Sequence, residues 1–307
     1  MISLAQQDSM SFFQFQSQFA TDDDCHDHLF SMKWPNGFHC PKCDSNRFYK
    51  ISTRKLPLYE CCDCRHQTSV TAGTIFEKTR TPLKKWFWAI YLVSNDKRGV
   101  SAAFLSRELE VCYTTAWTML HKIRKAMSDR DAQYDLTGII EIDDAYLGSS
   151  RSGGKRGRGT TKPKFIMGLS LSPKGHIKHV RIQSIPDVKG STVTDFVRDN
   201  VSKDDSFLIS DGFKSYKPLE REGFYHIGMP FNLEHNPEHL KNLHIVIGNL
   251  KALIGGTFHG LGRKHLDAYL SEFCYRFNRR GFGKQLFNRL VNACLLTDVV
   301  TYPELVG

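Results

Sequence analysis

The 307-residue chain predicts an α/β fold with a mixed sheet, set behind two small N-terminal modules. Three observations carry this. From about residue 137 the apolar patterning gives three strands, a helix, a strand, a helix, a strand and then helices. Near the start, Cys40-x2-Cys43 and Cys61-x2-Cys64 repeat one spacing. Between them and the sheet, three helical stretches are separated by short polar breaks.

Composition sets the limits. Net charge is +10, from 42 Lys and Arg against 32 Asp and Glu, a surplus suited to a polyanion or an anionic membrane surface. No run of 18 apolar residues occurs, so no membrane span is predicted. Met1 to Phe19 lacks a basic stretch followed by an apolar one, so no secretory signal is read. Beyond the two pairs, the cysteines are Cys25, Cys62, Cys112, Cys274 and Cys294, an odd remainder that reads as reduced and cytoplasmic.

Residues 1–35 are expected to be a helical segment, with Asp22, Asp23 and Asp24 as N-cap residues of a helix through Met32. A module at 36–76 follows. Each CxxC turns two thiolates toward one point, and seventeen residues between the pairs fall within the spacing of a zinc ribbon. Cys62 lies within the second pair, but Cys61 and Cys64 have the better spacing. Phe48–Ile51 and Leu58–Glu60 read as its strands.

The third segment, 77–130, reads as a helix-turn-helix unit. Thr81 caps a helix with Pro82 in its first turn, a second helix starts at Ser101, and Glu110-Val111-Cys112 breaks before a third from Thr114 to Ser128. Thr114, Thr115 and Thr118 near its start suit base edges. His121, Lys122, Arg124 and Lys125 further on suit phosphates. The competing reading is a plain three-helix unit with a solvated basic face.

In the sheet region, strands fit Ile139–Leu147, Phe165–Leu171, His176–Gln183, Ser206–Ser210 and Phe224–Ile227, and helices fit 191–201, 238–254, 264–280 and 284–296. Arg151, Lys155, Arg156, Arg158, Lys162 and Lys164 crowd a glycine-rich stretch without an acid. It is either a solvated loop or a phosphate grip. Asp143 lies inside an apolar strand with Glu141 on the same face, and a buried carboxylate is costly unless paired or metal-bound. Asp211 follows Phe207-Leu208-Ile209 at a strand's carboxyl end, where open α/β sheets bind ligands. Two carboxylates on adjacent strands make an oxygen site for Mg²⁺ or Mn²⁺.

These residues carry a resemblance. Trp34-Pro-Asn-Gly37 before Cys40-Pro41, Thr71–Phe76, Glu141-Ile-Asp143-Asp-Ala-Tyr146-Leu-Gly148, Ser210-Asp211-Gly-Phe-Lys-Ser-Tyr216 and the block from Gly256 to Arg280 ending Tyr275-Arg-Phe-Asn-Arg-Arg280 resemble zinc-ribbon insertion-sequence transposases of the DDE type. The resemblance implies an RNase H-like mixed-sheet catalytic core at 137–300, preceded by the zinc ribbon and helix-turn-helix unit. It places the catalytic acids on Asp143 and Asp211 rather than Asp144, the third position on His244, giving an Asp-Asp-His variant, and a basic residue on Lys251. His244 and Lys251 are seven residues apart, nearly two helical turns, and share one helix face. Imidazole favours Mn²⁺ over Mg²⁺ as partner. Glu234, Glu238 and Glu272 are the reserve third acids.

The resemblance also implies a structural Zn²⁺, catalytic Mg²⁺ or Mn²⁺, and double-stranded DNA as partner, at both the terminal inverted repeats and the target. A homodimer or larger assembly on DNA, associated with a prokaryotic nucleoid, goes with it. Tyr146 and Tyr216 lack the Arg and His company that a tyrosine nucleophile needs. An inactive DNA-binding regulator descended from a transposase, or a nuclease that cuts without joining, are the alternatives.

Overall fold

In the computed structural model, which describes residues 10–54, 56–148, 160–232, 234–235, 238–259 and 261–307, the chain divides into two units. One is Met1–Asp129 with Gly281–Gly307, and the other is Arg130–Arg280.

Capping builds the start of the first unit. Ser11 and Gln14 close a capping box on α1 (Phe12–Gln18), and Thr21 and Asp24 close another on α2 (Asp22–Lys33). The aspartates therefore fill the first turn of α2 instead of capping it. Asp24 reaches back to the Thr21 amide at 2.8 Å, and three acids at this end suit the helix dipole. Strands β1 (Phe48–Ile51), β2 (Leu58–Cys61) and β3 (Gln67–Thr68) form an antiparallel sheet. The helix α3 (Leu83–Asn95) starts at Pro82 without a side-chain cap of its own. Thr81 does not cap it. The Asp22 carboxylate accepts from the Lys84 amide at 2.8 Å and serves that end from α2.

Ser101 caps α4 (Ala102–Leu109) through the Phe104 amide. Glu110, in the left-handed region at φ 49°, turns the chain into α5 (Tyr113–Asp131). Phe15, Phe19 and Phe87 pack around Phe287 of the helix Gln285–Leu296, which belongs to this unit although it follows the sheet in sequence. The expected catalytic domain extended to 300. The aromatic contacts of Phe287 explain why Gly281–Gly307 goes with the N-terminal unit.

The second unit is a five-stranded mixed sheet with helices on both faces. It contains β4 (Leu136–Tyr146), β5 (Lys164–Leu171), β6 (Ile177–Ile185), α6 (Gly190–Asn200), β7 (Val201–Ser210), α7 (Pro218–Arg221), β8 (Tyr225–Gly228), α8 (Lys241–Thr257) and α9 (Leu266–Asn278). The order is β6-β5-β4-β7-β8. β5 runs antiparallel to β4 and β6, while β7 and β8 run parallel to β4. This is the RNase H-like arrangement. Residues of β4 alternate between two cores. Ile140 and Ile142 pack with Val193, Phe196 and Val197 of α6. Ala145, on the other face, packs in the cluster of Leu243, Val246 and Leu250 of α8 with Leu270 and Phe273 of α9.

Several boundaries differ from the sequence expectation, and two have a clear local cause. β7 begins at Val201, because the α6 cap residue is already extended and the polar run Ser202–Asp205 hides a strand from an apolar count. α8 begins at Lys241, because Leu240 sits in the left-handed region at φ 47° with its side chain buried.

The C-terminal signature works as a clasp on edge strand β6. The Asn278 amide accepts from the Val180 N–H at 2.8 Å and donates to its carbonyl at 3.1 Å, as a further strand would. Arg279 is buried, ion-paired with buried Asp131 and stacked over Tyr275 at 3.8 Å. Breaking a buried pair strands one charge, so Asp131→Ala should cost about 3–5 kcal/mol of the unit's stability, with Asp131→Asn milder. Urea unfolding followed by far-UV circular dichroism measures both; equal midpoints for Asp131→Ala and wild type would remove the clasp.

Candidate active site and metal centre

Two matched turns make the four-cysteine site. In the first, the Asp44 amide bonds the Cys40 carbonyl at 2.8 Å and the Cys40 amide bonds the Ser45 carbonyl at 2.9 Å. In the second, Arg65 bonds Cys61 at 3.1 Å and Cys61 bonds His66 at 2.9 Å. The residue after the second cysteine, Asp44 or Arg65, has φ near +60° in each. All four Sγ atoms lie within 4.8 Å of one another, with Cys40–Cys64 and Cys43–Cys61 at 3.5 Å. Bonds of about 2.3 Å to a tetrahedral Zn²⁺ require edges of about 3.8 Å, so the set suits zinc. The amides of Cys64 and Asp63 hold the Cys61 thiol down to about 6. Cys62 stands outside the cluster, its amide bonded to the Arg47 carbonyl.

Asp143 and Asp211 occupy matching positions toward the carboxyl ends of two neighbouring parallel strands. The last β4–β7 register pair is Glu141 with Ile209, and each aspartate lies two residues further along. Asp143 faces the α8 side with Glu141 and Ala145. Asp144 faces the opposite side, is buried, and accepts from the Tyr146 hydroxyl at 3.0 Å. The Asp211 carboxylate accepts from the Phe213 amide at 2.9 Å. Behind it, Ser210 Oγ accepts from the Gly212 amide at 3.2 Å and pairs with His226 Nε2 at 2.9 Å. Gly228 lies against Gly212 so closely that a Cβ there would meet the Gly212 Cα at 2.8 Å. Gly228→Ala must displace the turn that carries Asp211, and any activity that depends on Asp211 should fall about tenfold or more. A steady-state assay beside a thermal melt checks this; unchanged activity would show that the turn tolerates the shift.

His244 and Lys251 are exposed on one side of α8, flanking the buried stripe Leu243, Val246, Ile247 and Leu250. His239, buried just before the helix, was missed by the sequence reading. Burial lowers its imidazole pKa, His244 pushes the same way, and Asp211 opposes. It therefore lies within electrostatic reach of both. Among the described residues, the four cysteines are the one set of three or more His, Cys, Asp or Glu side chains gathered within 4.8 Å; Asp143, Asp211 and His244 are not drawn together to that distance. Of the reserve acids, Glu272 is buried and ion-paired with Arg276. Glu234 and Glu238 are exposed. Tyr216 is fully buried, which removes it as a nucleophile.

The residues read as DNA contacts separate into groups. Thr114 is exposed and Thr115 and Thr118 are half-exposed at the start of α5, with the Thr118 hydroxyl bonded back to the Thr114 carbonyl at 2.7 Å. Lys125 is exposed and pairs with Asp129. Lys122 is half-buried, with Nζ on the Ile75 carbonyl at 3.1 Å, and burial lowers its pKa. Arg124 is only 2 % exposed, so it does not present a cation to a ligand. Its spacing from buried Leu120 and Met127, four residues one way and three the other, places it in the apolar stripe. Lys162 and Lys164 are half-buried where β5 starts, with Lys164 opposite Tyr146 and so beside the aspartate end of β4. Arg151, Lys155, Arg156 and Arg158 lie outside the described residues. No helix of the described residues is long and apolar enough to cross a membrane.

Residues 135–278 match the profile of the ISXO2-like transposase domain, and residues 20–67 match the transposase zinc-ribbon domain. An uncharacterized transposase-like protein of Haemophilus influenzae is 30% identical over 108 residues, 33% of this chain and 83% of that protein. The chain belongs to the ISXO2-like transposase family. A second relative, an uncharacterized protein in transposable element ISH50 of Halobacterium salinarum, is 26% identical over 210 residues, 63% of this chain and 68% of its own length. Among solved structures, the Mos1 mariner paired end complex with Mn is similar at 11% identity and TM-score 0.27, covering 67% of this chain and 76% of that one. The Mos1 strand transfer complex is similar at 12% and 0.28, covering 68% and 76%. In this transposase-family chain the ribbon match spans both cysteine pairs, and the domain match begins at β4 and ends at the Asn278 clasp.

Proposed function

We propose that the protein is a DNA transposase that binds the terminal inverted repeats of its own element and carries out metal-dependent strand cleavage and strand transfer. The observation that carries this reading is the register: Asp143 on β4 and Asp211 just past β7 both stand two residues beyond the Glu141–Ile209 pair of neighbouring parallel strands. Hard carboxylate oxygens suit Mg²⁺ or Mn²⁺, and the His244 imidazole favours Mn²⁺. Divalent ions held by Asp143, Asp211 and His244 would supply activation of the attacking oxygen and stabilisation of the leaving one.

The chain's own groups do the rest. Lys251, one helix face from His244, holds a non-bridging phosphate oxygen. Lys162 and Lys164 hold the backbone beside the aspartates. In cleavage, a water oxygen bonds phosphorus, the P–O3′ bond breaks, and the 3′ oxygen leaves as a hydroxyl after taking up a proton. In transfer, that hydroxyl bonds a target phosphorus and the target's own 3′ oxygen leaves. Neither step forms a protein–DNA bond. The exposed start of α5, from Tyr113 to Thr118, reads the repeat, and the zinc ribbon steadies the approach to DNA. Two ends cut in concert call for a homodimer or larger assembly.

The test is incubation of the zinc-loaded full chain with duplexes ending in the flanking repeats, with Mn²⁺ or Mg²⁺ and a target plasmid. Metal-dependent nicking at the repeat end and joined product are expected. Binding without cutting under either ion would favour the regulator, and cutting without joining would favour a nuclease. Lys251→Ala should weaken cleavage roughly 10- to 100-fold with repeat binding largely kept, measured on the same duplexes.

A further inference from the structure

The helix that carries His244 and Lys251 begins without a cap of its own. Leu240 occupies the N-cap position in the left-handed region, at φ 47° and ψ 34°, and a leucine has no side-chain acceptor for the first-turn amides. The acceptor comes from the sheet. Glu141 Oε2 accepts from the Leu243 amide at 3.0 Å across 102 residues of sequence, and the Asn242 side chain also bonds the Glu141 carboxylate. Glu141 is 9 % exposed and lies two residues before Asp143 on the same face of β4. One buried carboxylate thus joins the strand of Asp143 to the residue immediately before His244.

We propose that Glu141 is a positioning residue that caps α8 from β4 and so fixes His244 and Lys251 relative to Asp143. The assignment to catalysis rests on the transposase reading above. The cap itself does not. Leu243, on one side of the bonded amide, is anchored in the core, and His244 projects from the next position on the exposed flank. Without the carboxylate, the first turn loses its partner for a buried amide and frays, since the left-handed Leu240 cannot restrain it. The rest of α8 stays anchored by Val246, Ile247 and Leu250. The loss therefore concentrates at the turn that holds His244.

The experiment compares wild type, Glu141→Gln and Glu141→Ala as zinc-loaded full chains. A glutamine keeps an oxygen for the Leu243 amide, whereas an alanine does not. Hydrogen exchange over residues 241–247 is read first. Protection should fall at least about tenfold in Glu141→Ala and be kept in Glu141→Gln. Cleavage of repeat-end duplexes is read second, against Mn²⁺ concentration. Glu141→Ala should lose at least about tenfold in rate and need more Mn²⁺ for half-saturation, with duplex binding unchanged, and Glu141→Gln should recover most of both. Equal protection in all three proteins would overturn the cap. A Glu141→Gln protein as inactive as Glu141→Ala, with its helix still protected, would overturn positioning in favour of a direct role for the charge. If Glu141→Ala does not fold, Asn242→Ala with Glu141→Gln carries the same exchange comparison. Exchange that follows the cap while Asp143→Ala cleaves normally would leave the cap standing and remove the transposase assignment of the site.

Discussion

Asp143→Asn should abolish metal-dependent cleavage, by on the order of 10³-fold or more, while Asp144→Asn keeps it within about tenfold. The two residues are adjacent, alike in chemistry, and equally plausible in a list of acids. The pleat separates them. Asp143 faces the α8 side, in the row that Asp211 continues on β7, and Asp144 faces the α6 side, where the Tyr146 hydroxyl occupies it. Asparagine preserves size and removes the charge that a divalent ion requires. Both variants should hold zinc and bind repeat-end DNA as wild type does, since the ribbon and the Tyr113–Thr118 start of α5 lie in the other unit. Cleavage is read on labelled duplexes with Mn²⁺ and with Mg²⁺. The reversed pattern, an active Asp143→Asn beside an inactive Asp144→Asn, would move the site to the other face of the sheet.

What the sequence shows depends on how local the physics is. The zinc cage is legible because each CxxC turn is closed by hydrogen bonds within five residues of its first cysteine. The succession of strands and helices along the chain is legible because β4 and β5 are patterned by their own burial. Asp143 stands out as an acid inside an apolar strand and Asp211 as one at the end of an apolar run. Contacts between distant segments leave no such mark. Nothing near Pro82 says that Asp22 will serve the Lys84 amide. Nothing near Leu240 says that Glu141 will cap α8. The block from Tyr275 to Arg280 carries the resemblance in the sequence, and its Asn278 and Arg279 bond β6 and Asp131.

Arg124 is a different kind of miss, because its helical spacing was available. A cation on a helix is ordinarily read as surface, and the basic look of Lys122, Arg124 and Lys125 reinforced this. Arg124 is buried along with Leu120, Ile123 and Met127 of α5, which leaves Lys125 as the exposed member of that trio. The phosphate-facing capacity of α5 is therefore smaller than its composition implies. Under the proposed DNA-binding role, the burden would fall on the exposed threonine end and on cations elsewhere, among them Lys162 and Lys164 at the start of β5.

Removal of the ribbon's metal should have the largest effect on folding, confined to the first unit. Its strands are four, four and two residues long, too short to be stable as a sheet without help. Beside the thiolates, an aromatic cluster in which Trp34, Phe38 and Phe48 pack on Tyr59, and the Lys33 ammonium on the Ser69, Val70 and Ala72 carbonyls, hold the module. Structural zinc contributes roughly 10–16 kcal/mol in small ribbons and fingers, more than such a cluster supplies. Cys61→Ser, or excess chelator, is expected to abolish the near-ultraviolet signal of this aromatic group and one bound zinc per chain, while the far-ultraviolet signature of the five-stranded sheet persists. Acid should act in the same direction. Protons compete with zinc for the four thiolates, so zinc retention should fall as the pH is lowered, as read by a chromogenic chelator. A ribbon that keeps its aromatic signal with no metal bound would mean that the aromatic cluster alone suffices, and that the four sulfurs, 3.5 Å apart in facing pairs, were brought together by the fold instead of bringing it together.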